Sequence, residues 1–210
     1  MSDEAITRRL KTVDQLRELC LSLMKAKKVS DEKAKAAKKP IVKKTVNVES
    51  PTSEEFDGME VEIIDYEPRY RREFTDMNIE WISHYFTVEP HDLEQLENPE
   101  EYILAKGGQI FFARCGDEIV GTAALIKNSE TVYEIAKMAV KPAFKGLGAG
   151  EKLGRHLIGA AKNAGCNRLF LESNQQLIPA LALYKKLGFT EVPVGETLYS
   201  RVNYKAEMYF

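Results

Sequence analysis

Long apolar runs are missing from this chain of 210 residues. None approaches the roughly 18 consecutive apolar residues of a bilayer-spanning helix, so no membrane partner is expected. The opening Met1-Ser-Asp-Glu-Ala5 lacks a basic segment followed by an apolar one, so no secretory signal is expected either. Cysteine is scarce. Cys20, Cys115 and Cys166 are odd in number and far apart, which argues against a disulfide framework and for a reducing, cytoplasmic setting. His84, His91 and His156 form no Cys/His zinc pattern, so no metal is expected. Charge of one sign is lacking too. The formal net charge is −2, which disfavours nucleic acid as a global electrostatic partner. What is present is 44% apolar and 30% charged residues, enough for a packed core and one domain with an appendage.

The appendage is visible in the charge. Residues 1–57 hold 13 Lys/Arg against 10 Asp/Glu, whereas residues 58–210 hold 17 against 22. Residues 1–28 read as an amphipathic helical extension, with Ile6, Leu10, Val13, Leu16, Cys20 and Leu23 at steps of three and four. Such a helix can pack on the core, bind a partner or pair in a homodimer. Residues 29–58 lose the pattern and read as a flexible basic linker broken by Pro40 and Pro51. Its lysines favour a solvated linker over a nuclear address or phosphate patch, because aromatics and arginines are not interleaved.

Residues 59–210 alternate between strand and helix patterns. Strands are expected at Val61–Tyr66, Ile110–Cys115, Ile119–Ile126, Thr131–Val140, Arg168–Glu172 and Val202–Phe210. In the last of these, Val202, Tyr204, Ala206, Met208 and Phe210 should share one buried face. Helices are expected at Arg71–Phe86, with Phe74, Met77, Trp81 and Tyr85 on one stripe, from Pro90 to about Asn98, at Gly150–Ala164, and at Ile178–Leu187 before Gly188.

One segment points to chemistry. A strand ending Met138-Ala139-Val140 runs through Lys145-Gly146-Leu147-Gly148-Ala149-Gly150 into a helix. Unpaired N–H groups and the helix dipole converge there, glycines permit close approach, and Lys145 adds charge, which together suit a pyrophosphate. A Walker A loop and a G-x-G-x-x-G fingerprint would both need glycine where Glu151 stands, so neither fits.

The turn, with Ala180-Leu-Ala-Leu-Tyr184-Lys-Lys-Leu-Gly-Phe189 about 35 residues later, resembles the acetyl-CoA and tyrosine motifs of the GCN5-related N-acetyltransferases. Glu80-Trp-Ile-Ser-His-Tyr-Phe86 with Glu89 looks like a small bacterial-type subgroup whose acceptors are unassigned. The resemblance runs from Met59 to the C-terminus and departs from the family at Ala143, where an Arg or Gln is usual, leaving Lys145 as the cation. The family's asparagine before the tyrosine helix falls near Leu177, with Asn174 as its substitute.

The resemblance implies an α/β fold with a mixed, mostly antiparallel central sheet flanked by helices, the helical extension preceding it. It also implies acetyl-CoA as co-substrate, with direct transfer of acetyl to a primary amine, of a small molecule or a peptide, in a ternary complex. Met138, Ala139 and Val140 would present backbone to the pantetheine arm, Lys145 to Gly150 would hold the pyrophosphate, and Asn174 would assist. Glu134 would be the general base, or else a cross-strand charge partner. Tyr184 would protonate the departing thiolate, or else pack on Phe189. Trp81, His84, Tyr85 and Glu89 would wall the acceptor pocket, with Glu89 or Asp92 drawing a cationic amine, or else serve as core and helix cap. Cys115 and Cys166 are expected to be structural. A non-catalytic acyl-CoA sensor or interaction module is the competing function.

Overall fold

The computed structural model describes residues 60–210. The expected helical extension, the basic linker and Cys20 lie outside the described residues. Seven strands and five α-helices are found among those described. The strands are β1 (Val61–Asp65), β2 (Gln109–Cys115), β3 (Glu118–Lys127), β4 (Val132–Val140), β5 (Arg168–Ser173), β6 (Thr190–Val192) and β7 (Tyr204–Tyr209). The helices are α1 (Arg71–Tyr85), α2 (Pro90–Glu97), the single turn α3 (Pro99–Tyr102), α4 (Ala149–Asn163) and α5 (Ile178–Leu187). The sheet order is β1-β2-β3-β4-β5-β7-β6. Only the β4–β5 pair is parallel, the others being antiparallel.

Each face of the sheet has its own core. On one, Phe111, Ala113, Tyr133 and Ile135 meet Leu153, Leu157 and Ala161 of α4. On the other, Ile110, Phe112, Ala124 and Ala139 meet Phe74, Met77 and Ile82 of α1 and Leu96 of α2. Alternation along β2 supplies both faces, as the two-residue period of a strand requires. In β3, residues Ile119–Leu125 are all buried, because a central strand covered on both faces becomes continuously apolar.

Three expectations differ from what forms. Burial along α1 follows Phe74, Met77, Asn78 and Ile82 and stops there, so Trp81 is half-buried and Tyr85 is exposed. The last strand begins at Tyr204, and both Ala206 and Glu207 are buried while Phe210 is exposed. Tyr204, Ala206 and Met208 do share the α4-side core, but the face ends there, and Glu207 on the other side is buried as well. β6 has only three residues and no apolar alternation, so pairing with β7 alone makes it a strand.

Candidate functional site

The site forms where β4 and β5 part. They pair from Val132↔Arg168 to Ile135↔Leu171 and no further. Beyond that point Ala136–Val140 stays paired to β3, while Glu172 and Ser173 stay paired to β7. The wedge so opened is a cavity of about 500 Å³.

A bulge in β4 sets which side chains face it. The register with β3 shifts between Thr122↔Ala139 and Ala124↔Ala136, and Lys137 adopts φ 51°. An extra residue reverses the faces downstream. Met138 and Val140 therefore pack toward α4, as Tyr133 and Ile135 do, and Ala139 turns to the α1 side. The same shift brings Lys137 to α2, where its Nζ donates to Asp92 Oδ1 at 2.9 Å.

The glycine turn closes one end. Gly146 and Gly148 have φ of 93° and 77°, a region that L-residues rarely adopt. A Cβ on either would meet nothing within 4 Å, so both face open space at the start of α4. Gly146, Gly148, Ala149 and Gly150 line the cavity with Lys145, Met138 and Val140. This is a cradle into which an anion can approach the backbone closely, and it fits a pyrophosphate. Leu147 and Ala139 are not among the lining residues. Leu147 packs on the α4-side core and Ala139 is buried on the other.

Glu134 and Tyr184 line the same cavity. Burial pushes the Glu134 carboxyl up to about 7, and nearby Glu172 adds to the rise while Lys137 opposes it. Burial likewise raises the Tyr184 phenol, with the Ser173 hydroxyl acting the other way. Tyr184 also packs edge-on to Phe189, with ring centroids 6.5 Å apart. Asn174 lines the cavity while tying down its own loop. Its Nδ2 donates to Arg201 O at 2.6 Å, and its Oδ1 accepts from the Gln176 N–H at 2.9 Å.

At the end opposite the glycine turn, Trp81, Ile82 and Phe86 supply an apolar wall. Tyr85 is not part of it and remains exposed against Trp81. Glu89 is also absent from the lining. Its carboxylate instead accepts from the Ser200 N–H and hydroxyl and from Arg201. At this end Asp92, which is wholly buried, lines the cavity instead. Arg201 donates to both of its oxygens at 2.8 Å, and the Glu89 N–H donates to Oδ2 at 3.1 Å. Burial pushes the Asp92 carboxyl up, but Arg201 and Lys137 outweigh it and hold it below the ordinary carboxylate range. Sequence reasoning missed Lys137, Tyr199 and Arg201. Their only local signal was their polarity, and the bulge that turns Lys137 inward leaves none.

Cys115 and Cys166 are buried free thiols, and burial raises the Cys166 thiol. No group of three or more metal-ligating side chains is found among the described residues. Among the same residues, no helix is long and apolar enough to cross a membrane.

The profile of a family described as "Acetyltransferase (GNAT) family" matches residues 75–189. An uncharacterized N-acetyltransferase of Bacillus subtilis, YvbK, is 32% identical over 104 residues, which cover 48% of this chain and 67% of that protein. A GNAT-family acetyltransferase from Staphylococcus aureus Mu50 superposes with a TM-score of 0.66 at 25% identity, over 71% of this chain and 99% of that one. The putative acetyltransferase yncA from Salmonella typhimurium, solved with acetyl-CoA, shares the fold. Its TM-score is 0.58 at 19% identity, over 71% and 93% of the two chains.

Proposed function

Since this chain belongs to the acetyltransferase (GNAT) family, we propose that residues 59–210 form an N-acetyltransferase domain that moves acetyl from acetyl-CoA to an amine by direct attack in a ternary complex. The observation that carries this reading is one cavity joining the glycine cradle, the parted strands, Glu134 and Tyr184.

Gly146, Gly148 and the first N–H groups of α4 hold the pyrophosphate, with Lys145 adding charge beside them. The open edge of β4 from Ala136 to Val140 offers backbone groups to the pantetheine arm, and Asn174 keeps the facing loop in place. Acetyl-CoA supplies an activated acyl group with a thiolate as leaving group. Glu134 takes the first proton from the acceptor ammonium and passes it to solvent, and its regenerated carboxylate takes the second N–H proton as the nitrogen bonds to the thioester carbon. A base that titrates near 7 is well matched to this, because it is substantially ionised at neutral pH and still basic enough to accept the proton. Tyr184, kept protonated by burial, gives its hydroxyl proton to the departing thiolate. Trp81, Ile82 and Phe86 seat the acceptor's apolar part. Cys115 and Cys166 lie in the core away from these groups, so no thiol nucleophile is involved.

A panel of amines with acetyl-CoA, followed by thiol release, tests the reading. Turnover of at least one amine is the expected result. Acetyl-CoA binding without turnover of any amine would instead identify a non-catalytic acyl-CoA-binding module.

A further inference from the structure

The acceptor end of the cavity is crowded with charges, and most of them are already satisfied. An ionised carboxylate offers about four lone-pair sites. Asp92 fills four, with Lys137 and Arg201 on Oδ1 and Arg201 and the Glu89 N–H on Oδ2. Lys137 and Arg201 are donors only. Glu172 accepts from the Thr197 hydroxyl and from Lys205. Tyr199 differs. Its oxygen accepts from Lys137 Nζ at 3.0 Å, which leaves a second lone pair, and no described protein group receives its hydroxyl hydrogen.

Tyr199 is held firmly. Its ring lies 4.3 Å from the Arg201 guanidinium and 5.5 Å from the His91 ring. Lys137, which fixes the hydroxyl, is itself held at φ 51° in the β4 bulge. A lysine in that region costs backbone energy, and such strain gathers where a side chain must be aimed.

A neutral primary amine has two N–H bonds, one carbon and one lone pair. For attack, the lone pair must point at the thioester carbon. Two acceptors that each take one N–H fix that orientation. We propose that Glu134 and Tyr199 are those two acceptors, so that Tyr199, aimed by Lys137, makes the enzyme select primary over secondary amines. This rests on the acetyltransferase reading above, with Glu134 facing the amine. Tyr199 then touches the reacting nitrogen, and Lys137 acts through it as a positioning residue.

The test uses the full chain, acetyl-CoA and thiol release. The acceptors are n-butylamine, 2-phenylethylamine and 1,4-diaminobutane, each paired with its N-methyl secondary counterpart. The wild type should favour the primary member of a pair by about tenfold or more in kcat/KM, the usual worth of one hydrogen bond made at the reacting centre. Tyr199→Phe keeps the ring and its stacking. It should lower kcat/KM for the primary amine about tenfold, leave the secondary amine within about twofold, and not alter acetyl-CoA affinity by calorimetry. Lys137→Met should erase the same preference, and the double variant should be no worse than either single one. Equal losses for both members of a pair in Tyr199→Phe would make Tyr199 a packing residue, and a wild type without preference would also overturn the proposal. A wild type that binds acetyl-CoA but acetylates no primary amine would remove the acetyltransferase reading and this assignment with it.

Discussion

Glu134 sets chemistry against stability. In an unfolded chain its carboxyl titrates near the model value of 4.5, and in the fold near 7. The fold therefore favours the protonated form. Going up from pH 4.5 the wild type should lose stability through this group, and the loss should level off above 7, because the carboxyl is then ionised in the folded and the unfolded chain alike. At about 1.4 kcal/mol per unit, the loss reaches up to about 3 kcal/mol. Glu134→Gln has no such charge, so it should melt higher than wild type at pH 8 and equally at pH 4.5 in thermal scans. Its rate should move oppositely. The acid limb near 7 in the kcat/KM profile should vanish, with the largest deficit near neutral pH and a smaller one toward the amine's own pKa. A profile unchanged by this variant would assign deprotonation to another group. Tyr184→Phe isolates the acid. Turnover should fall by about 10²–10⁴ while acetyl-CoA affinity holds, and full turnover would leave Tyr184 with only its packing against Phe189.

Two elements carry the site's geometry, the turn into α4 and the bulge in β4. At the turn, Gly148 is the N-cap of α4 with φ 77°, and a side chain there would project into open space. Aspartate tolerates left-handed backbone better than most residues. Gly148→Asp should therefore fold, yet lose acetyl-CoA binding in calorimetry, since it places negative charge where the pyrophosphate belongs. At the bulge, Asp92 joins three elements: α2, β4 through Lys137, and the segment before β7 through Arg201. Asp92→Ala leaves two buried or half-buried cations without their shared partner. Such a break typically costs about 3–5 kcal/mol, which urea unfolding would register as a lower midpoint.

For the whole molecule, two cores are built from the described residues, and β1 is pinned where these begin, with Val61 O accepting from Lys152 Nζ at 2.8 Å. A chain starting at Met59 should keep its cooperative unfolding and acetyl-CoA affinity, and an insoluble product would make the first 58 residues part of the fold. The sequence alone determined what depends on near neighbours. Ile178–Leu187 and its stop at Gly188 were legible to the residue, and the strand–turn–helix of residues 132–163 was legible to within a residue at its ends. Side-chain periodicity, helix stops and glycine turns are written within a few residues of where they act. Tertiary structure decided the acceptor end. The bond from Lys137 to Asp92 spans 45 residues and that from Arg201 to Asp92 spans 109. The reversed faces of β4 follow from one inserted residue that only pairing with β3 defines. Tyr85 and Glu89 have the residue types of an acceptor wall, but burial on α1 ends before Tyr85, and Arg201 and Ser200 draw Glu89 to the segment before β7. No local pattern records which distant strand will pair or which buried charge needs a partner, because those energies arise only when the chain has closed upon itself.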